Sequence, residues 1–229
     1  MSLFEIKKNK ERVLIVGTGS GWEMMPRETD AMVYCLNDFV YAEKYGVKPD
    51  LLFILDVLDE KPQIVSNISN LGEVIARINA MKVPLIAPYR YEEIPLSEAF
   101  PLDECVAQFG IPYFTNTICY MIAYALLNGA KEITIYGVNQ ASSHEYSEEK
   151  GGVEYWLGIA VGLGVKVSVN GDHSQLLRFK GRFGGDALYG YLAPYEIIKA
   201  EREKWGEMKV RRLTAPVNHK TRVLRTINS

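Results

Sequence analysis

Apolar residues along the chain cluster in six short runs, each with the length and composition typical of a buried strand. Longer segments of mixed polarity separate the runs. Pro84 falls inside the fourth run and has no backbone N–H, which predicts that this strand starts late or lies at an edge of the sheet. The six predicted strands are Arg12–Gly17, Ala31–Leu36, Asp50–Leu55, Val83–Ala87, Glu132–Tyr136 and Lys166–Val169.

Between these strands, apolar residues recur three or four positions apart, which is the period of an amphipathic helix. The segment after Thr115 is apolar on nearly every side, so its helix is expected to be central and buried. Gly158 and Gly162 share one face of a later helix, which predicts a close approach to a strand. The predicted helices are Asn67–Met81, Asn116–Asn128, Val153–Leu163 and Pro194–Trp205.

The alternation of strands and helices predicts a Rossmann-like α/β domain over residues 1–207, with a mostly parallel six-stranded sheet, helices on both faces and a C-terminal helix. A chain of 229 residues fits one such domain. No run of about 18 apolar residues occurs, so no membrane-spanning helix is expected. Three isolated cysteines exclude a disulfide framework and indicate a reducing compartment. We therefore expect a soluble cytoplasmic protein.

Residues 208–229 differ in composition and are expected to form a basic C-terminal arm, because they contain several basic side chains and no acidic one. The whole chain has a net charge of −2, which excludes electrostatic nucleic-acid binding by the protein as a whole. Apolar residues are interleaved in the arm, which favours docking over a solvated tail. We expect docking on the same or a second subunit, hence a homo-oligomer such as a dimer; contact with a polyanion is the alternative.

A glycine-rich loop, GTGSGW, directly follows the first predicted strand. Glycines there allow a sharp turn and a close approach to a ligand, and backbone N–H groups with a following helix start are suited to phosphate. The loop is not a Walker A motif, and Trp22 occupies the place of the third glycine of a dinucleotide-binding loop. The alternative is an ordinary turn. The candidate nucleotide-binding residues here are Gly17, Thr18, Gly19 and Ser20.

Polar residues also follow the other strands, and the carboxyl ends of parallel strands collect ligands at one edge of a sheet. Asp56 and Asp59 are the only paired carboxylates well placed for magnesium, although such a pair is also typical of a helix cap. Turn formation and helix capping are likewise the alternatives for the other residues. The further candidates for nucleotide binding are Asn37, Asp56, Thr115, Asn116, Thr117, Gly137 and Asn139.

A polar segment, Ser142–Glu149, follows the fifth strand and is expected to be a loop. It contains His144 and Tyr146, and a histidine in a loop over a pocket is a candidate general base because its pKa lies near working pH. His173, after the sixth strand, is the competing candidate. A lone loop histidine is often only solvated, so a binding module without catalysis stays open.

The order of these motifs resembles the Rossmann-like superfamily that contains the single-domain bacterial sialyltransferases, the archaeal 6-hydroxymethylpterin pyrophosphokinases and related motility-accessory and phage proteins. Thr115–Asn139 is the most specific stretch, with a hydroxyl-start helix, the Tyr120-Met121 pair, a Lys-Glu-Ile strand and a Gly-Val-Asn turn. Asn139 replaces the aspartate usual in the sialyltransferases.

The resemblance implies a nucleotide-dependent transferase, most simply a nucleotide-sugar glycosyltransferase that uses the donor as substrate and needs no bound cofactor. It assigns the cytidine nucleotide to Gly17, Gly19, Ser20 and Asn37, and its phosphate to Tyr146. The pyrophosphokinase branch implies ATP and magnesium instead, held by Asp56 and Asp59. A third hypothesis is that the chain is a non-catalytic nucleotide-binding protein of a phage or prophage.

Overall fold

The structure is a computed structural model of the 229-residue chain. It describes residues 9–41, 45–58, 71–140, 144–171, 174–179, 182–183, 199–200 and 203–204. The chain divides into two compact units, Met1–Leu176 and Leu177–Ser229, which are described separately.

The first unit contains a parallel seven-stranded sheet in the order β5-β4-β3-β2-β1-β6-β7. This confirms the predicted α/β class and all six predicted strands. The added strand, β5, is a three-residue segment without an apolar run. The strands are β1 (Asn9–Val16), β2 (Ala31–Leu36), β3 (Leu51–Phe53), β4 (Leu85–Ala87), β5 (Ser97–Ala99), β6 (Glu132–Tyr136) and β7 (Lys166–Asn170).

Pro84 does delay the start of β4, which begins at Leu85. The alternative expectation of an edge position is wrong, because β4 pairs with β3 on one side and with β5 on the other. The short strand β5 therefore occupies the edge that the proline had suggested for β4.

Four α-helices are described: α1 (Leu71–Met81), α2 (Leu102–Phe109), α3 (Thr117–Leu127) and α4 (His144–Gly162). Helix α3 is the buried helix that the sequence predicts, with seven buried side chains. One sheet face packs on Val74 and Ile78 of α1. On the other face, Tyr34 and Phe53 contact Tyr124 of α3. Both faces of the sheet are therefore covered.

Two predictions about α4 are wrong. The helix starts at His144, so residues from His144 to Glu149 are helical and do not form a polar loop. Gly158 and Gly162 approach no strand, because an added Cβ at either would find no atom within 4 Å. The close contact of this helix is instead at Gly152, where an added Cβ would overlap the Thr115 side chain.

The second unit contains a small antiparallel pair, β8 (Arg178–Phe179) and β9 (Arg182–Phe183). Of the predicted helix Pro194–Trp205, only residues 199–200 and 203–204 are described, and these are helical. The basic arm over residues 208–229 lies outside the described residues. Within the part of the chain that is described, no helix combines the length and the apolar character needed to cross a membrane.

Candidate active site

The strand order reverses between β1 and β6, since the chain builds the sheet outward from β1 to β5 on one side and through β6 and β7 on the other. Loops leaving the carboxyl ends of two such strands diverge and leave a crevice. A cleft of about 960 Å³ opens at this point. Among its lining residues are ten that the sequence singles out: Gly17, Thr18, Gly19, Asn37, Asp56, Thr115, Asn116, Thr117, Gly137 and Asn139.

One wall of the cleft is a backbone-to-backbone contact between the loops after β1 and β6. The Gly17 N–H donates to the Tyr136 carbonyl and the Gly19 N–H donates to the Gly137 carbonyl, each at 2.8 Å. Gly137 has φ +63°, and a Cβ there would lie 2.5 Å from the Gly17 carbonyl oxygen. Neither loop leaves space for a side chain, so close loop packing by itself requires glycine at these positions.

Asn139 fastens the same loop through its side chain. The amide makes three hydrogen bonds, all to Ser20. Its oxygen accepts from Ser20 Oγ at 2.8 Å and from Ser20 N at 3.1 Å, and its nitrogen donates to the Ser20 carbonyl at 3.1 Å. Ser20 is thereby held at the rim of the cleft, although it is not one of the residues that line it.

The expectation that a helix starts after the glycine loop is wrong. Trp22 begins a three-residue 3-10 turn, Trp22–Met24, and β2 follows. The helix N-terminus at the cleft belongs to α3, whose first residues Thr117 and Ile118 both line it. The partial positive charge at the cleft therefore comes from the helix that begins at the predicted nucleotide-binding residues Thr115–Thr117, and not from a helix after the glycine loop.

Polar contacts with α4 hold the start of α3. Asn116 caps α3 through its Oδ1, which accepts from Cys119 N at 3.3 Å, and its Nδ2 donates to Glu149 Oε2 at 3.0 Å. Thr115 Oγ1 donates to the Glu149 carbonyl at 2.7 Å. Both ends of the Asn116 amide are thus oriented by the protein, which leaves Thr117 as the hydroxyl side chain at the first helical position.

An aromatic pair forms part of the cleft wall beside this helix start. Phe114 and Tyr120, which both line the cleft, are stacked with ring centroids 4.3 Å apart. Trp156 of α4 stacks on Phe114 at 4.8 Å and donates from Nε1 to the Tyr113 carbonyl at 2.7 Å. Helix α4 therefore fixes the position of Phe114, and both rings of the pair contribute to the lining of the cleft.

The described lining residues include three carboxylates, Asp38, Asp56 and Glu149, and no lysine, arginine or histidine. Asp59, the predicted partner of Asp56 for magnesium, lies outside the described residues. Within the described ranges, no group of three histidine, cysteine, aspartate or glutamate side chains is arranged to hold a metal. A phosphate in this cleft would depend on helix and backbone N–H groups and on hydroxyls.

The candidate catalytic residues are only partly placed. His144 and Tyr146 belong to the first turn of α4, where the backbone but not the side chains is described, and His173 lies outside the described residues. Their catalytic roles stay predictions.

The cysteines at this site and elsewhere are poor nucleophiles. Burial raises the pKa of the Cys119 thiol and the nearby Glu149 carboxylate raises it further, against hydrogen bonds with Thr115 and Asn116 that lower it. Burial likewise raises the pKa of Cys35, and that of Cys105 to about 11. All three thiols are free and buried, so they act as small core residues.

Five polar or aromatic residues of the cleft were not predicted as site residues: Asp38, Phe114, Tyr120, Gln140 and Glu149. Asp38 and Gln140 adjoin residues that were singled out, so their position beyond a strand end was the available signal. The sequence contains no such signal for Glu149, because this residue lies in α4 and faces the cleft only because that segment is helical.

Comparison with solved structures finds sialyltransferases of Campylobacter jejuni. CstII in complex with cytidine-5'-monophosphate has a TM-score of 0.48 and 14% identity, covering 85% of this chain and 99% of that one. The monofunctional α-2,3-sialyltransferase Cst-I has a TM-score of 0.47 and 16% identity, covering 92% and 99%. No family model and no curated protein matches the chain.

Proposed function

We propose that this protein is a nucleotide-dependent transferase and that the cleft between β1 and β6 holds the nucleotide part of a nucleotide-sugar donor. The observation that carries the proposal is the meeting of two features in that cleft. The N-terminus of α3, with Thr117, suits a phosphate, and the stacked Phe114–Tyr120 pair suits a flat ring. The resemblance of Thr115–Asn139 to the sialyltransferases supports a cytidine nucleotide.

In the proposed reaction, an acceptor hydroxyl attacks the anomeric carbon of the sugar. The new glycosidic bond forms as the bond from that carbon to the phosphate oxygen breaks, so the nucleotide leaves with the bonding electron pair. The α3 N-terminus, Thr117 and Tyr146 stabilise the charge that develops on the leaving phosphate. His144, with His173 as the alternative, takes the proton of the acceptor hydroxyl.

Thermal unfolding with three ligands tests the proposal: cytidine monophosphate, uridine diphosphate, and ATP with magnesium. A ligand present at a thousand times its Kd adds about 4 kcal/mol of stability, which gives a clear rise in Tm. Cytidine monophosphate or uridine diphosphate should stabilise the protein. Failure of all three would contradict nucleotide binding.

Two other outcomes redirect the assignment. Stabilisation only by ATP with magnesium, lost in Asp56→Asn, would favour pyrophosphoryl transfer to a pterin-like alcohol. Nucleotide binding without transfer to any of a panel of sugar acceptors would favour a binding module without catalysis.

His144→Ala tests the proposed general base. Turnover should fall by about 10²–10⁴-fold, the usual contribution of general acid–base catalysis. Nucleotide affinity should be nearly unchanged, since the base faces the acceptor. His219→Ala, in the basic arm, is the matched control. Unchanged turnover in His144→Ala would remove His144 from the mechanism and leave His173 as the candidate.

A further inference from the structure

Two residues of the cleft have a backbone conformation, with positive φ, that residues other than glycine rarely adopt. Asn37, directly after β2, has φ +38°, and Gln140, four residues after β6, has φ +51°. They follow the two strands that flank β1, so they border the glycine loop from opposite sides. Such conformations persist where the surrounding structure enforces them, and they concentrate at ligand sites.

Among the described residues, neither of these two side chains finds a hydrogen-bond donor for its buried oxygen, Asn37 Oδ1 and Gln140 Oε1. A buried acceptor without a donor destabilises a protein. Two neighbouring amides show that this fold can satisfy such groups: Asn139 makes three bonds to Ser20, and Asn116 bonds at both ends. The amide oxygens of Asn37 and Gln140, in contrast, both lie in residues that line the cleft.

The backbone that leads to Gln140 is fixed from the protein side. The Val138 carbonyl accepts from the buried Ser174 Oγ, and the Asn139 carbonyl accepts from Gln175 N, both at 2.8 Å. Gln140, which lines the cleft, therefore directly follows an anchored segment.

We propose that Gln140 is a specificity-determining residue, whose Oε1 accepts a hydrogen bond from a hydroxyl or amino group of the bound nucleotide. In this proposal Asn37 Oδ1 accepts a second such bond on the other side of the glycine loop. The inference rests on the proposed nucleotide site. An ionised phosphate cannot be the partner, because it has no proton to donate. The contact is therefore with the ribose or with the base.

Gln140→Leu and Gln140→Met test this role, since both replace glutamine by an apolar side chain of similar size and so remove the unpaired oxygen. Without ligand, their Tm should equal or exceed that of the wild type. Cytidine monophosphate should bind roughly three- to tenfold more weakly, the effect of losing one neutral hydrogen bond. Gln108→Leu, on the exposed surface of α2, is the matched control and should bind the nucleotide like the wild type.

Two analogues identify the donor group. If a ribose 2'-hydroxyl is the partner, Gln140→Leu should weaken cytidine monophosphate but leave 2'-deoxycytidine monophosphate unchanged. If the base amino group is the partner, uridine monophosphate should be the ligand that is unchanged. An equal loss for all three assigns the contact to a group that they share, such as the 3'-hydroxyl.

Two results would overturn the inference in distinguishable ways. If the wild type binds cytidine monophosphate and both Gln140 variants bind it equally well, Gln140 does not read the ligand, whatever the Tm. If cytidine monophosphate, uridine diphosphate and ATP with magnesium all fail to bind the wild type, the proposed function is wrong, and this inference is wrong with it.

Discussion

The two walls of the cleft are built on different principles. On the β1–β6 side, backbone meets backbone: Gly17, Gly19 and Gly137 lie against one another with no space for a side chain. On the α3–α4 side, side chains make the contact, through Thr115, Asn116 and Glu149. Backbone contact fixes a shape that substitution cannot adjust, whereas side chains can repack. The first wall should therefore respond to substitution more severely than the second.

Gly137→Ala should give the largest effect. Its φ of +63° makes alanine unfavourable by about 1–2 kcal/mol. Its Cβ would also press on two backbone carbonyls, at 2.5 Å from Gly17 O and 2.8 Å from Gly19 O. Such overpacking costs a further ~1–3 kcal/mol. We therefore expect the free energy of unfolding, measured in urea, to fall by about 3 kcal/mol.

Gly129→Ala is the control for that variant. Gly129 also has a positive φ, +80°, but nothing lies within 4 Å of an added Cβ. Only the conformational cost of about 1 kcal/mol should appear. Equal losses for the two variants would contradict the contact between the glycine loops as the reason for Gly137.

Gly152→Ala tests the other wall, because its methyl group would overlap the Thr115 side chain. We expect a loss of about 1–2 kcal/mol, smaller than for Gly137→Ala because Thr115 can move. Gly158→Ala, on the same helix with no atom within 4 Å, should instead stabilise by up to about 1 kcal/mol through helix propensity. If Gly152→Ala were stabilised as much as Gly158→Ala, Thr115 would not limit this position.

Asn139→Asp should have the smallest effect of the series. Aspartate can still accept from Ser20 Oγ and Ser20 N, but it cannot donate to the Ser20 carbonyl. We expect a loss of about 1 kcal/mol, and a larger loss for Asn139→Ala, which removes all three bonds. If Asn139→Ala were as stable as Asn139→Asp, the Ser20 contacts would contribute nothing to the loop. Asn128→Ala, at an exposed helix end, controls for loss of an asparagine side chain.

The predictability of the molecule also differs between its parts. Helix α3 and strands such as β2 and β6 follow from apolar pattern alone, because burial on both sides leaves few polar positions. Strand β5, Ser-Glu-Ala, pairs through its backbone, so no side-chain pattern could reveal it. The first half of α4 is polar and contains Gly151-Gly152, which resembles a helix break; its helical state depends on packing that is distant in sequence.

The site divides in the same way. Residues that follow strand ends, such as Asn37 and Asp56, could be grouped from topology, because parallel strands end at one edge. Gln140 has the same signal, its position beyond a strand end, but its buried oxygen is visible only in the structure. Glu149 could not be recognised, since it contacts Asn116, which lies 33 positions away. Of the two helix starts expected at the site, the one at Thr115–Thr117 is present as the start of α3, whereas the one after β1 is absent because Trp22 starts only a 3-10 turn.

A crystal structure of the protein with cytidine monophosphate tests the central claim most directly. We expect the nucleotide in the cleft between β1 and β6, with its phosphate at the N-terminus of α3 near Thr117 and its base or ribose within hydrogen-bond distance of Gln140 Oε1. A nucleotide bound outside this cleft, or one in it with its phosphate away from α3, would contradict the account.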